Sequence, residues 1–219
     1  MRASFIILLV LTLAAFVLFA ARPQIDLAAA HWFYSDGFAG QGAWGRAVRG
    51  FLYGLPVVVC ALFLLSRWLP LPLPCRPSSR GMLFVIASLA LGPGILVNVI
   101  LKDHSHRPRP NQIVEFGGPS AYRPVGAFDG ACVKNCSFVS GEASAAFWMV
   151  APASLAPPPL QVPAIALALT AGVVTGLLRM AYGAHFLSDV VLAGLLTLLL
   201  VVILRWFFFP GLRGRRPTL

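Results

Sequence analysis

Six apolar stretches dominate the chain, roughly residues 3–21, 48–66, 82–101, 141–156, 162–178 and 186–209. A helix needs about 20 mostly apolar residues to cross a bilayer. In that medium every backbone N–H and C=O must find its partner inside the protein. Together these constraints leave an all-α, polytopic membrane bundle, read as one domain spanning residues 1–219. Only 11% of residues are charged, against about a quarter in soluble domains. The fourth stretch is the weakest span, being short and interrupted by Pro152. The first is expected to be a retained anchor: it is long for a leader, and Arg22-Pro23 follows it without a small-residue cleavage site.

Charge placement sets the expected orientation. With six spans both termini share a side, which carries Arg2, Arg67, Arg76, Arg80, Arg205, Arg213, Arg215 and Arg216 and no acid. The opposite side carries all seven acids and all four histidines. Long loops weigh little in the positive-inside rule. With the long loop 102–140 discounted, both termini are expected in the cytoplasm of a bacterial inner membrane, and that loop in the periplasm. The formal net charge is +10, but the basic residues are scattered between apolar runs, which excludes a nucleic-acid face. The bilayer is the partner implied, and oligomeric state is not legible. The Arg-rich tail reads as a cytoplasmic anchor to acidic phospholipid.

Between the first two spans, residues 25–47 mix aromatics with scattered polar groups, as an interfacial segment does. His31, Trp32 and Tyr34 are either an interfacial belt or lipid contacts. Asn98, inside an apolar run, must face the bundle or a site. Cys132 and Cys136 either close a small disulfide loop on an oxidising face, remain free thiols, or join His104 and His106 around zinc. Cys60 is a packing residue and Cys75 a free cytoplasmic thiol.

Three polar segments flank the predicted membrane boundaries. Lys102 and Arg109-Pro110 follow the third span, Ser140-Gly141-Glu142 opens the fourth, and Arg179, His185 and Asp189 lie around the start of the sixth. Phosphoryl transfer is mostly positioning and electrostatic stabilisation. Lys102, Arg109 and Arg179 provide cations, of which arginine can hold phosphate in bidentate fashion. Ser140 and Gly141 lie at a helix start, where free N–H groups bind anions. His185 provides a nucleophilic nitrogen. Asp189, four residues on, is expected to bond its other nitrogen.

The order and spacing resemble the type 2 phosphatidic acid phosphatase superfamily. Its first motif, Lys, six residues, Arg-Pro, is met by Lys102, Arg109 and Pro110. Its third, Arg, five residues, His, three residues, Asp, is met by Arg179, His185 and Asp189. The resemblance runs from about Gly92 to Leu195. It implies a six-helix bundle shared with vanadium haloperoxidases, and a metal-independent phosphatase acting on membrane lipid with no cofactor. The second motif departs from the family's Pro-Ser-Gly-His: here Val139-Ser140-Gly141 is followed by Glu142. The family's histidine there protonates the leaving oxygen. Glu142 either takes that role once substrate is bound, or serves as base for water while His104 or His106 acts as acid, or marks a weak enzyme. The substrate classes implied are lipid A, undecaprenyl pyrophosphate, phosphatidylglycerol phosphate and phosphatidic acid. The residues from Asn111 to Gly118 and the loop beyond them look more like bacterial lipid A phosphatases than the diacylglycerol-type enzymes. A lipid phosphotransferase with the same site and a non-catalytic lipid-binding protein are the alternatives.

Overall fold

In the computed structural model the described residues are 2–69 and 76–210. Cys75, most of the proline-rich connector and the Arg213, Arg215 and Arg216 tail lie outside them. Five helices are long and apolar enough to cross a membrane: α1 (Arg2–Ala21), α3 (Ala43–Leu65), α4 (Ser79–His104), α7 (Pro158–Ala181) and α8 (Leu187–Phe208). Among the described residues the only pairings of extended backbone are the isolated bridges Tyr34–Phe38 and Ile113–Ser120. Helix α7 starts earlier than its apolar run, because Pro158 occupies its first turn, where a missing N–H costs nothing.

The fourth predicted span is helical but broken, into α5 (Gly141–Trp148) and α6 (Val150–Ala153). Some 13 residues at 1.5 Å each reach only about 20 Å, short of the roughly 30 Å hydrocarbon layer. The other helices enclose it, so it need not meet lipid. Trp148 is fully buried and donates its indole N–H to Ser88 Oγ at 2.8 Å. Ser144 and Thr197 share a buried hydroxyl pair at 2.7 Å. Phe147 fits between Gly172 and Gly194, where an added Cβ would stand 2.4 and 2.9 Å from its ring. The break is closed by a cation: Arg205, from α8, donates to the Ser154 carbonyl at 2.6 Å. That meets the requirement that a helix end inside the bilayer be satisfied by protein.

A further helix, α2 (Gln24–His31), follows α1 directly. The sequence suggested an interfacial segment here, and Trp32 and Trp44 are indeed exposed. Asp26 and Ala30, however, are buried in the bundle. His31 and Tyr34 stack on Phe116 of the long loop. In α4 the stretch Ala90–Leu101 is wound with wide, π-type turns around Pro93, and Asn98 donates to the Pro93 carbonyl at 2.6 Å. Asn98 faces the site, the second of the two expected places: it lines a cavity with Lys102 and Glu142, and its Oδ1 would be 2.6 Å from a Cβ at Gly141, so only glycine lets α5 start this close to α4.

Gln161 Nε2 donates to the same Ser154 carbonyl at 2.7 Å, so replacing Arg205 by Met and Gln161 by Leu together should strand it. The expected loss is about 1–3 kcal/mol, the cost of an unsatisfied buried acceptor, read as a lower melting temperature in detergent.

Candidate active site

Backbone hydrogen bonds stitch the three polar segments together before any side chain is considered. Asn111 N–H donates to Gly183 O at 2.9 Å, joining the first segment to the third. Ser140 N–H donates to Asp189 O at 3.2 Å, joining the second to the third. Residues 132–137 lie along the first segment: Cys132 donates to His106 O, Cys136 to Lys102 O and Ser137 to Arg107 O. Cys132 and Cys136 are joined as a disulfide, so neither is free to bind zinc.

That small covalent loop presents Asn135 to two cations. Lys102 Nζ donates to Asn135 Oδ1 at 3.1 Å, and Arg109 Nη2 donates to its carbonyl at 2.8 Å. Asp103 accepts from Asn135 N–H at 3.2 Å. Lys102 also lies within the electrostatic reach of Arg109, Arg179 and Glu142, so the cations form one cluster. At the start of α5 the Ser140 hydroxyl accepts from Ala143 N–H. The N–H groups of Gly141 and Glu142 precede the first i→i−4 bond and point out of the helix.

His185 is 2% exposed, and its Nδ1 donates to the Ser137 carbonyl at 2.7 Å. A carbonyl only accepts, so Nδ1 carries the proton and Nε2 keeps the lone pair. The expected bond to Asp189 is not made: Nδ1 and Asp189 Oδ2 are 3.8 Å apart, too far for a hydrogen bond. The reason is local. Helix α8 begins at Leu187, so His185 lies outside it and the helical i,i+4 spacing does not apply. Asp189 turns back to accept from Phe186 N–H at 2.9 Å and from Ser137 Oγ at 2.5 Å. It thus orients the residue that orients the imidazole.

The other oxygen of Asp189 meets Arg107. This guanidinium is 1% exposed and lies 2.6 Å from Asp189 Oδ1 and 2.7 Å from Asp26 Oδ2. It also donates to Ser188 Oγ and the Arg123 carbonyl, and its centre stands 4.5 Å over the Phe186 ring. Asp26 accepts in addition from Ser188 N–H at 2.8 Å and Oγ at 2.6 Å. Burial disfavours the charge of Arg107, but Asp189 and Asp26 more than offset this, so its pKa is raised.

Glu142 is held by Arg179, 3.5 Å away, and by Arg49 of α3, 2.7 Å away. It stands as a carboxylate between two guanidiniums. His104 spends Nδ1 on the Ile100 carbonyl of its own helix, and His106 spends its Nδ1 on the Cys132 carbonyl. His104 is exposed. Neither auxiliary histidine is presented to the cation cluster by these bonds.

The PAP2 superfamily pattern matches residues 81–212. The chain belongs to the PAP2 superfamily. It is 34% identical over 205 residues to a lipid A 4'-phosphatase of Francisella tularensis subsp. novicida, covering 89% of this chain and 90% of that one. A lipid A 4'-phosphatase of Rhizobium leguminosarum is 43% identical over 113 residues, 52% of this chain and 48% of the relative. The crystal structure of a transmembrane PAP2 type phosphatidylglycerolphosphate phosphatase from Bacillus subtilis aligns over 98% of both chains, with a TM-score of 0.58 and 20% identity. That likeness confirms the bundle as a PAP2 fold.

Asp26 and Arg49 lie outside the segment that matches the PAP2 pattern, and sequence reasoning missed both, as it missed Arg107. Asp26 carried a usable signal, since an acid amid Ile25, Leu27 and three alanines needs a partner once buried. Arg49, at the edge of the second apolar stretch, and Arg107, between Lys102 and Arg109, were assigned no role.

Two outcomes follow from this geometry. Arg107→Met would leave two carboxylates facing each other, and breaking a buried pair costs about 3–5 kcal/mol; equilibrium unfolding should show that loss. Burial, aided by Lys102 and Arg179 and opposed by Asp189, lowers the His185 pKa to about 4, whereas the unfolded value is about 6.5. The folded state therefore binds fewer protons between these values. The His185 contribution to stability is fully present above pH 6.5 and is lost as pH falls through 4. Melting temperatures across this window should fall less steeply in His185→Asn, which can still donate to Ser137.

Proposed function

We propose that this PAP2 protein is a membrane-bound phosphomonoesterase that removes phosphate from a lipid of the lipid A type through a phosphohistidine at His185. The observation that carries this reading is the tautomer of His185. With Nδ1–H committed to Ser137, the ring nitrogen available for attack is Nε2, within the electrostatic reach of Lys102 and Arg179. The preference for lipid A rests on the relatives from Francisella and Rhizobium, both lipid A 4'-phosphatases.

A lipid substrate suits the surroundings. A cavity of about 550 Å³ runs between α3 and α4. Arg49, Lys102 and Glu142 line its polar part, and Leu52, Pro56 and Leu89 its apolar part. A headgroup phosphate can thus meet the cations while apolar substrate stays among apolar walls. The positive-inside bias supports cytoplasmic termini and a periplasmic site in the inner membrane.

In the proposed reaction Nε2 attacks phosphorus and the bond from phosphorus to the lipid oxygen breaks. Lys102, Arg109 and Arg179 hold the phosphoryl oxygens, with the outward N–H groups of Gly141 and Glu142. The approaching dianion takes Arg179 from Glu142 and raises the carboxyl's proton affinity. Glu142 takes up a proton from solvent and passes it to the departing lipid oxygen, ending the step as a carboxylate. In the second step Glu142 takes a proton from water, which attacks the phosphohistidine and frees inorganic phosphate and neutral His185.

Purified protein in detergent should release phosphate from lipid A in preference to phosphatidic acid, phosphatidylglycerol phosphate or undecaprenyl pyrophosphate, and EDTA should leave the rate unchanged. Quenching a labelled reaction should trap a base-stable, acid-labile phosphoprotein that His185→Asn abolishes. Transfer of label to an acceptor lipid would identify a phosphotransferase instead. Glu142→Gln should lower the rate at least about 10²-fold, the low end for general acid–base catalysis. A rate within a few-fold of the parent would refute the proton role.

A further inference from the structure

Arg49 belongs to none of the three motifs, yet it makes the closest contact to the residue that replaces the family's second-motif histidine. Its Nη2 is 2.7 Å from Glu142 Oε1, and its Nε is 3.2 and 3.3 Å from the two carboxylate oxygens. The same Oε1 is 3.5 Å from Arg179 Nη1, so one oxygen bridges two guanidiniums of unequal grip. Arg179 Nε is buried and without a hydrogen-bond partner, as is Tyr182 Oη. Both guanidiniums lie over the Tyr182 ring, at 5.8 Å for Arg49 and 5.5 Å for Arg179. A buried, unpaired guanidinium N–H is costly unless an acceptor arrives. An anion entering here finds Arg179 short of one acceptor and only loosely held by Glu142. The Arg49 side chain is 44% exposed and is not needed to close the core.

We propose that Arg49 is a positioning residue that holds the Glu142 carboxylate off the phosphate seat, so that Arg179 can exchange Glu142 for a substrate phosphate. This rests on the phosphatase reading above and adds a residue to it. The contact is an exchange of ion pairs. Before phosphate binds, Glu142 is shared between Arg49 and Arg179. Afterwards Arg49 alone retains it, and Arg179 turns both its free Nε–H and the released Nη1–H to phosphate. Without Arg49 the carboxylate has one partner left, Arg179, and competes with the incoming anion for it. Arg49 therefore acts on phosphate affinity through Glu142 rather than by touching phosphate.

A double-mutant cycle on binding, not turnover, tests this. Orthovanadate and inorganic phosphate are titrated against the detergent-solubilised protein by calorimetry, for the parent, Arg49→Met, Arg49→Lys, Glu142→Gln and the Arg49→Met/Glu142→Gln double variant. Arg49→Met should weaken binding about tenfold, the scale of coupling between ion-paired neighbours, and Arg49→Lys should recover part of it. Removing the competing charge in the double variant should restore affinity to that of Glu142→Gln alone. A double variant as weak as Arg49→Met would show that Arg49 contacts the anion itself, overturning the proposal. Unchanged affinity in Arg49→Met would do the same. Were the parent to bind neither anion, this proposal and the phosphatase reading would fall together. Parent binding that Arg109→Met weakens and Arg49→Met does not would remove this proposal alone.

Discussion

A single guanidinium, that of Arg107, ties the candidate-site end of the molecule together. It is buried between two carboxylates that are themselves fully buried, Asp26 from α2 and Asp189 from α8. Charges in such surroundings are tolerated only when every hydrogen-bonding position is met. Here Ser188, Tyr122 and the Arg123 carbonyl complete the set. Three chain segments far apart in sequence therefore cannot move independently without exposing a charge to an apolar interior. The position of Asp189 follows from this anchorage. From it follow the Ser137 hydroxyl and backbone and, through the Ser137 carbonyl, the imidazole of His185. The imidazole is oriented by a chain of contacts rather than by a direct carboxylate bond.

This arrangement explains what sequence reasoning could reach. Apolar run length located the crossings to within a few residues, because the bilayer imposes it on α1, α3, α4, α7 and α8 alike. The motif residues Lys102, Arg109, Ser140, Arg179 and His185 were legible because their spacing belongs to short segments at membrane boundaries. Arg107 and Asp26 were not: their meaning is a pairing across 81 positions, and no local period encodes it. The helical spacing of His185 and Asp189 misled for a related reason. Helix α8 starts two residues after His185, so the carboxylate is used as a cap on Phe186 N–H. The fourth apolar stretch was read as a span, but it is a short, broken helix whose end is satisfied by Arg205.

The disulfide between Cys132 and Cys136 has a consequence beyond closing a loop. It holds Asn135 where one side-chain oxygen and one carbonyl occupy Lys102 and Arg109 at once. Both cations thereby keep acceptors that are neutral rather than anionic. A neutral acceptor holds a cation in place without cancelling its charge, so its attraction for an anion survives. Had an aspartate side chain supplied these contacts, the cradle would lose much of its net charge before substrate arrived.

Arg179 is treated differently, and the difference indicates how the site changes state. Its partner is the anion Glu142, and its Nε has none. The cradle thus contains two cations poised by neutral oxygens and a third balanced by a carboxylate that stands in the family's second-motif position. A phosphate dianion repels that carboxylate while attracting the cation beside it. In the proposed reaction the incoming charge itself therefore rearranges Arg179 and raises the proton affinity of Glu142 in the same event. An imidazole at this position would gain charge near the cations instead of losing it, and would need no partner such as Arg49. Under the proposed reaction, the replacement of histidine by glutamate and the presence of an arginine on α3 are one structural solution: the acid requires a cation to retain it, and the cation on the motif face must remain available to phosphate.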